Sequence, residues 1–144
     1  MNDNAENIIT IETLAEEARS FLTNIGYDYE HYGDNWMLLF CCEKVTNTIQ
    51  NECNVIAIPK GLKNIAVEMC VGEFLYKKKN TGQTEGFIDI DFGTAIKSIQ
   101  EGDTNITFAI GEGSLTPEQA MNNFINYLLM NGRSEFVRYR KLQW

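Results

Sequence analysis

The stretch Pro59-Lys60-Gly61-Leu62-Lys63-Asn64-Ile65-Ala66-Val67-Glu68-Met69-Cys70-Val71-Gly72-Glu73-Phe74-Leu75-Tyr76-Lys77-Lys78-Lys79 decides how this chain folds. Leu62, Ile65, Ala66, Met69, Cys70, Glu73 and Tyr76 recur at steps of three and four, which predicts a helix over 60–79. Pro59 opens it, the three lysines complement the negative end of the helix, and Gly82 follows as terminator. Glu73 is the odd member of an otherwise apolar stripe. Gly72 costs about 1 kcal/mol relative to alanine inside a helix, so it is expected to mark a close crossing with another element. The lysine run is read as a solvated helix end in preference to a nucleic-acid contact.

A striped helix needs other elements to cover it, and the flanking sequence supplies them. On the N-terminal side, Ile11, Leu14, Ala15, Ala18, Phe21, Leu22 and Ile25 follow the helical period, with Thr10 as N-cap, early acids at Glu12, Glu16 and Glu17, and Gly26 as stop. A loop over 27–35 leads to a second helix, Trp36 to Glu52, capped by Asp34 or Asn35. Leu38, Cys41, Cys42, Val45 and Ile49 form its inward stripe. Val55-Ile56-Ala57-Ile58, ahead of the proline, reads as a buried connector.

On the C-terminal side the pattern changes. Phe87-Ile88-Asp89-Ile90-Asp91-Phe92 alternates apolar and acidic residues, as a strand does. A hairpin is expected next, with arms at 96–100 and 105–110 around a turn of Glu101, Gly102, Asp103 and Thr104; Ile106, Phe108 and Ile110 share one face of its second arm. After a glycine-rich linker, Thr116-Pro117-Glu118-Gln119 is a capping-box helix start. The fourth helix runs to about Met130, with Ala120, Phe124, Tyr127 and Leu128 inward. The predicted fold is therefore mainly α: a bundle of about four helices with a small β-hairpin before the last long helix. Residues 1–132 form the helical domain, with the hairpin near 95–110, and residues 133–144 a C-terminal aromatic and basic docking tail.

Composition narrows the function. Apolar residues make up 44% and charged residues 22% of the 144 residues, ordinary for a globular domain. A net charge of −8 argues against nonspecific nucleic-acid binding, which needs a basic patch. Acids crowd the first quarter of the chain, whereas Arg133, Arg138, Arg140 and Lys141 crowd the end, so that copies meeting head to tail would be complementary, as would two ends of one chain. The polar start lacks the features of a secretory signal, and folding in a cytoplasm is expected. There Cys41, Cys42, Cys53 and Cys70 are read as free, buried thiols, with neither a disulfide nor zinc.

Catalytic patterns are lacking. The lone His31 has no nucleophile in its sequence neighbourhood, and no P-loop or dinucleotide glycine pattern occurs; Gly111-Glu112-Gly113 is only a fragment of one. On a strand, Asp89 and Asp91 would share a face suited to a metal or to acid–base work, but a solvated strand face is the preferred reading. No enzyme activity and no cofactor are expected. Arg138, Tyr139, Arg140 and Trp144 are residue types enriched at interface hot spots. Against this, Phe136, Val137, Leu142 and Trp144 would serve equally as a last core turn.

The ordered combination of these pieces carries a resemblance. The Pro-led helix ends in Gly72-Glu73-Phe74-Leu75-Tyr76-Lys77-Lys78-Lys79-Asn80-Thr81-Gly82-Gln83. Then come Lys97-Ser98-Ile99-Gln100-Glu101-Gly102-Asp103-Thr104-Asn105-Ile106-Thr107-Phe108, Thr116-Pro117-Glu118-Gln119 and a Tyr139-Arg140-Lys141-Leu142-Gln143-Trp144 ending. Together they resemble the head–tail connector, or adaptor, proteins of tailed bacteriophages, in the form found in Gram-positive phages and prophages. The resemblance implies a virion protein, assembled in the host cytoplasm, that forms a ring (a dodecamer in the virion) beneath the portal and extends the DNA channel. It implies as partners the portal protein and the next neck or tail-completion protein, with DNA passing unbound and no membrane involved. Arg138, Tyr139, Arg140, Lys141 and Trp144 would dock on the portal, and Glu101, Gly102, Asp103 and Thr104 would contact a subunit or the neck. Another neck component, a head-completion or tail-terminator protein, is the nearest alternative. A small acidic binding or regulatory module is the alternative from a different class.

Overall fold

The structure, a computed structural model, describes residues 8–99 and 115–142. Its α-helices are α1 (Ile11–Asn24), the single turn α2 (Tyr29–Tyr32), α3 (Asn35–Cys53), α4 (Lys63–Asn80), α5 (Phe92–Ile99) and α6 (Pro117–Met130). Stretches of 3-10 helix cover Lys60–Leu62, Glu85–Asp89 and Asn131–Tyr139, and among the described residues there is no strand.

The mainly helical bundle is built around α4, which packs against α1, α3 and α6. Lys44 of α3 pairs with Glu73, and Lys77 lies over Phe40, so α3 and α4 run antiparallel. Leu128 lies at Gly72 and Gly132 lies against Ile65, which makes α6 antiparallel to α4 as well. Glu17 pairs with Lys63 while Tyr27 meets Phe74 edge-on, so α1 runs alongside α4 in the same direction. Nineteen residues of α3 span about 28 Å between the two ends of the bundle. One end, the crown, gathers α2, the starts of α3 and α6, and the end of α4. The other, the base, gathers the end of α3, residues 54–62, the start of α4 and the C-terminal stretch.

Local rules account for most boundaries. Thr10, Asp28, Asp34 and Thr116 each accept a backbone N–H through the side chain at the start of α1, α2, α3 and α6. Thr116 and Gln119 form the complete capping box. Gly26 and Gly82 follow α1 and α4 with φ of 102° and 75°, the left-handed region that L side chains avoid. A Cβ at Gly72 would sit 2.9 Å from the Leu128 Cβ, so this glycine is where α4 and α6 cross closely. Glu73 is almost fully buried and its carboxylate accepts from Lys44 Nζ at 3.1 Å, which explains a carboxylate inside an apolar stripe. All four cysteines are free and buried.

The segment from Phe87 onward departs from the sequence reading. Glu85–Asp89 is a 3-10 turn, and residues 96–99, expected as the first hairpin arm, belong to α5. The reason is Asp91. Its Oδ1 accepts the N–H groups of Gly93 and Thr94 and its Oδ2 the Thr94 hydroxyl, a helix start hidden inside an alternating pattern. Asp89 and Asp91 thus share no strand face. The turn at Glu101, Gly102, Asp103 and Thr104 and the second arm lie outside the described residues. The connector is corrected too: Ile58 is buried, but Ile56 is 93% exposed.

Candidate docking interface

The tail begins as 3-10 helix and is held to the base by the end of α3. The last carbonyls of a helix lack partners within it. Here the Cys53 carbonyl accepts the Lys141 N–H at 2.8 Å, and the Glu52 carbonyl accepts Arg140 Nε at 3.1 Å. Asn54 ends α3 in the left-handed conformation, with φ 57° and ψ 51°, which asparagine tolerates better than most residues. Its side-chain amide donates to the Lys141 carbonyl at 3.0 Å. A cation beside the negative end of a helix is also favourable in itself. Arg133 pairs with the Glu52 carboxylate at 3.0 Å and donates through Nε to the Leu129 carbonyl at 3.1 Å.

Side chains of the tail therefore divide between two tasks. Phe136 is fully buried, and Cys53 Sγ donates to its carbonyl. Tyr139 is half-buried with its hydroxyl against Gly61, where any Cβ would collide. Arg138, Arg140 and Lys141 are exposed, as are Val137 and Leu142, the latter 75% accessible. Arg138 keeps only an exposed pairing with Glu135 at 3.1 Å, worth little in water. Between tail and connector lies a cleft of about 570 Å³, walled by Val55 to Pro59 on one side and Arg138 to Lys141 on the other. The base thus presents apolar Ile56, Val137 and Leu142 among three cations. The expected docking residues Arg138, Tyr139, Arg140 and Lys141 meet at this cleft; Trp144 lies outside the described residues.

No protein-family model, curated protein or solved structure matches this chain. The candidate site accordingly rests on its own geometry.

Elsewhere the molecule offers less chemistry. A cavity of about 860 Å³, open to solvent, lies between α1, α4 and the start of the tail. Of its carboxylates, Glu17 is held by Lys63, and Glu135 by Arg138. Among the described residues no three His, Cys, Asp or Glu side chains are arranged to hold a metal. Nor is any helix there long and apolar enough to cross a membrane. His31 is exposed, its ring edge-on to Tyr32. Sequence reasoning missed one surface: Trp36, stacked on Phe40 at the crown and 75% exposed. The signal was present, because residues 36 and 40 are one turn apart and fall outside the stripe of Leu38, Cys41, Cys42, Val45 and Ile49.

Proposed function

We propose that this protein is a structural adaptor of a phage neck, one copy of a ring that seats on the portal by its base and meets the next neck protein by its crown. The observation that carries this reading is the two-ended build. A preorganised tail with exposed arginine and aliphatic side chains occupies one end, and the other, about 28 Å away, carries α2, none of whose residues is buried. Preorganisation matters because a tail already fixed by Cys53, Asn54 and Glu52 loses little further freedom on docking. Among the described residues the lack of strands favours this reading over the more β-rich head-completion and tail-terminator proteins.

In this role the protein does no bond chemistry. Each copy contributes a weak contact that closed rotational symmetry multiplies, so it is monomeric or loosely associated alone and forms the full ring on a portal. The net charge of −8 suits a channel along which a polyanion slides. Electron microscopy of purified virion necks tests the proposal. A ring of this chain at the portal–tail junction, base toward the portal, is expected; a neck without it overturns the reading.

A further inference from the structure

Two features of the crown remain unused, and they complement each other. On α3, Trp36, Phe40 and Glu43 fall on one outward line at steps of four and three, with the Trp36 and Phe40 rings stacked at 5.7 Å. Lys77 Nζ lies 5.1 Å from the Phe40 ring centre. Between the 84–92 segment and α6 lies a groove of about 480 Å³, mainly apolar, walled by Ile88, Phe92, Met121 and Asn122 with Lys79 and Glu118 beside them. Ile88 is 87% exposed. Asn122 Oδ1 is buried, and no described residue donates to it.

The placement follows from α4. Successive residues turn by about 100°, so Gly72 and Lys79 project about 100–160° round the helix from Glu73 and Lys77. Gly72 faces α6 and Glu73 faces α3. The aromatic ridge and the groove therefore occupy different flanks of the bundle at the same height. A surface and its complement so placed form a heterologous contact, which closes into a ring when the rotation per step divides a full turn.

We propose that the occupant of the groove is a second copy of this chain, whose Trp36–Phe40 ridge inserts there, and that this is the lateral contact of the ring. It rests on the ring reading above. The chemistry matches at each point. The mainly apolar groove suits the stacked Trp36 and Phe40 rings. Lys77 beside the ridge meets Glu118 beside the groove, and Glu43 meets Lys79.

The test uses the full chain carrying Glu43→Cys and Lys79→Cys, alone at high concentration and with portal added, treated with a short bismaleimide. The native thiols are buried and stay silent. A covalent ladder ending in one closed species is expected for the double variant, and monomer for either single variant. Adding Trp36→Ala, at an exposed site the fold does not need, should cut ladder yield about tenfold or more. No ladder, or a ladder indifferent to Trp36→Ala, overturns the contact. Shielding of an Ile88→Cys thiol in monomeric protein also overturns it, since the groove is then filled within the chain. The two proposals fail separately. Rings on the portal without a ladder leave the neck function standing, and a ladder with no protein in virion necks leaves only the self-contact.

Discussion

At the scale of single residues, buried polar groups carry the clearest consequences. Burial beside the Glu73 carboxylate pushes the Cys41 thiol up from its ordinary value of 9.0 to about 12. Cys70 is raised by its hydrogen bond with Cys42 and then by burial, and Tyr27 is raised chiefly by burial. All three groups hold their protons more tightly folded than unfolded. Their contribution to stability is therefore complete below pH 9 and is lost as pH climbs toward 12. The thermal midpoint is expected to fall steadily above pH 9, and Cys41→Ala to make that fall shallower. Below pH 9 the native protein should leave a chromogenic disulfide reagent unreacted until denaturant is added. A midpoint independent of pH from 9 to 11 would contradict this account.

At the scale of elements, the tail and the α4–α6 crossing bear the load. Phe136→Ala empties a fully buried site and is expected to cost about 3–5 kcal/mol in urea unfolding. Leu142→Ala, on the exposed side of the same tail, should change stability by less than about 0.5 kcal/mol. Gly72→Ala sets two effects against each other. Helix propensity improves by about 1 kcal/mol, while the new methyl meets the Leu128 Cβ at 2.9 Å and Leu129 at 3.1 Å. Overpacking costs about 1–3 kcal/mol, so net destabilisation is expected.

At the scale of the whole molecule, charge and polarity of build make the prediction. If the base engages a portal through Arg138, Arg140 and Lys141, affinity should fall as salt rises, because exposed charges are screened over about 8–10 Å at moderate ionic strength. Arg138→Glu should weaken portal binding and flatten that salt dependence, leaving the unfolding midpoint unchanged. A titration of labelled portal across salt concentrations reads both effects.

Much of this was legible in the chain. Apolar periodicity marked all four long helices, the threonine and aspartate caps marked most starts, and Gly72 announced its crossing, because helix formation and capping are decided within a few residues. Phe87 to Ile99 was misread because alternating isoleucine and aspartate satisfy a strand period while Asp91 also offers a helix cap; tertiary contact at Asp91 N–H, which donates to the Ile25 carbonyl at 2.8 Å, helps fix the outcome. The docking cleft was half legible. Residue types named the tail, but only the fold revealed that Arg140 and Lys141 also cap α3, that Phe136 turns inward while Leu142 turns out, and that Trp36 and the Ile88 groove stand on different flanks. By itself, the sequence determined the four long helices and which of their faces are apolar, since those depend on neighbours three and four positions away. Only the tertiary structure decided which apolar side chains stay uncovered, because that depends on whether another helix, distant in sequence, arrives to cover them.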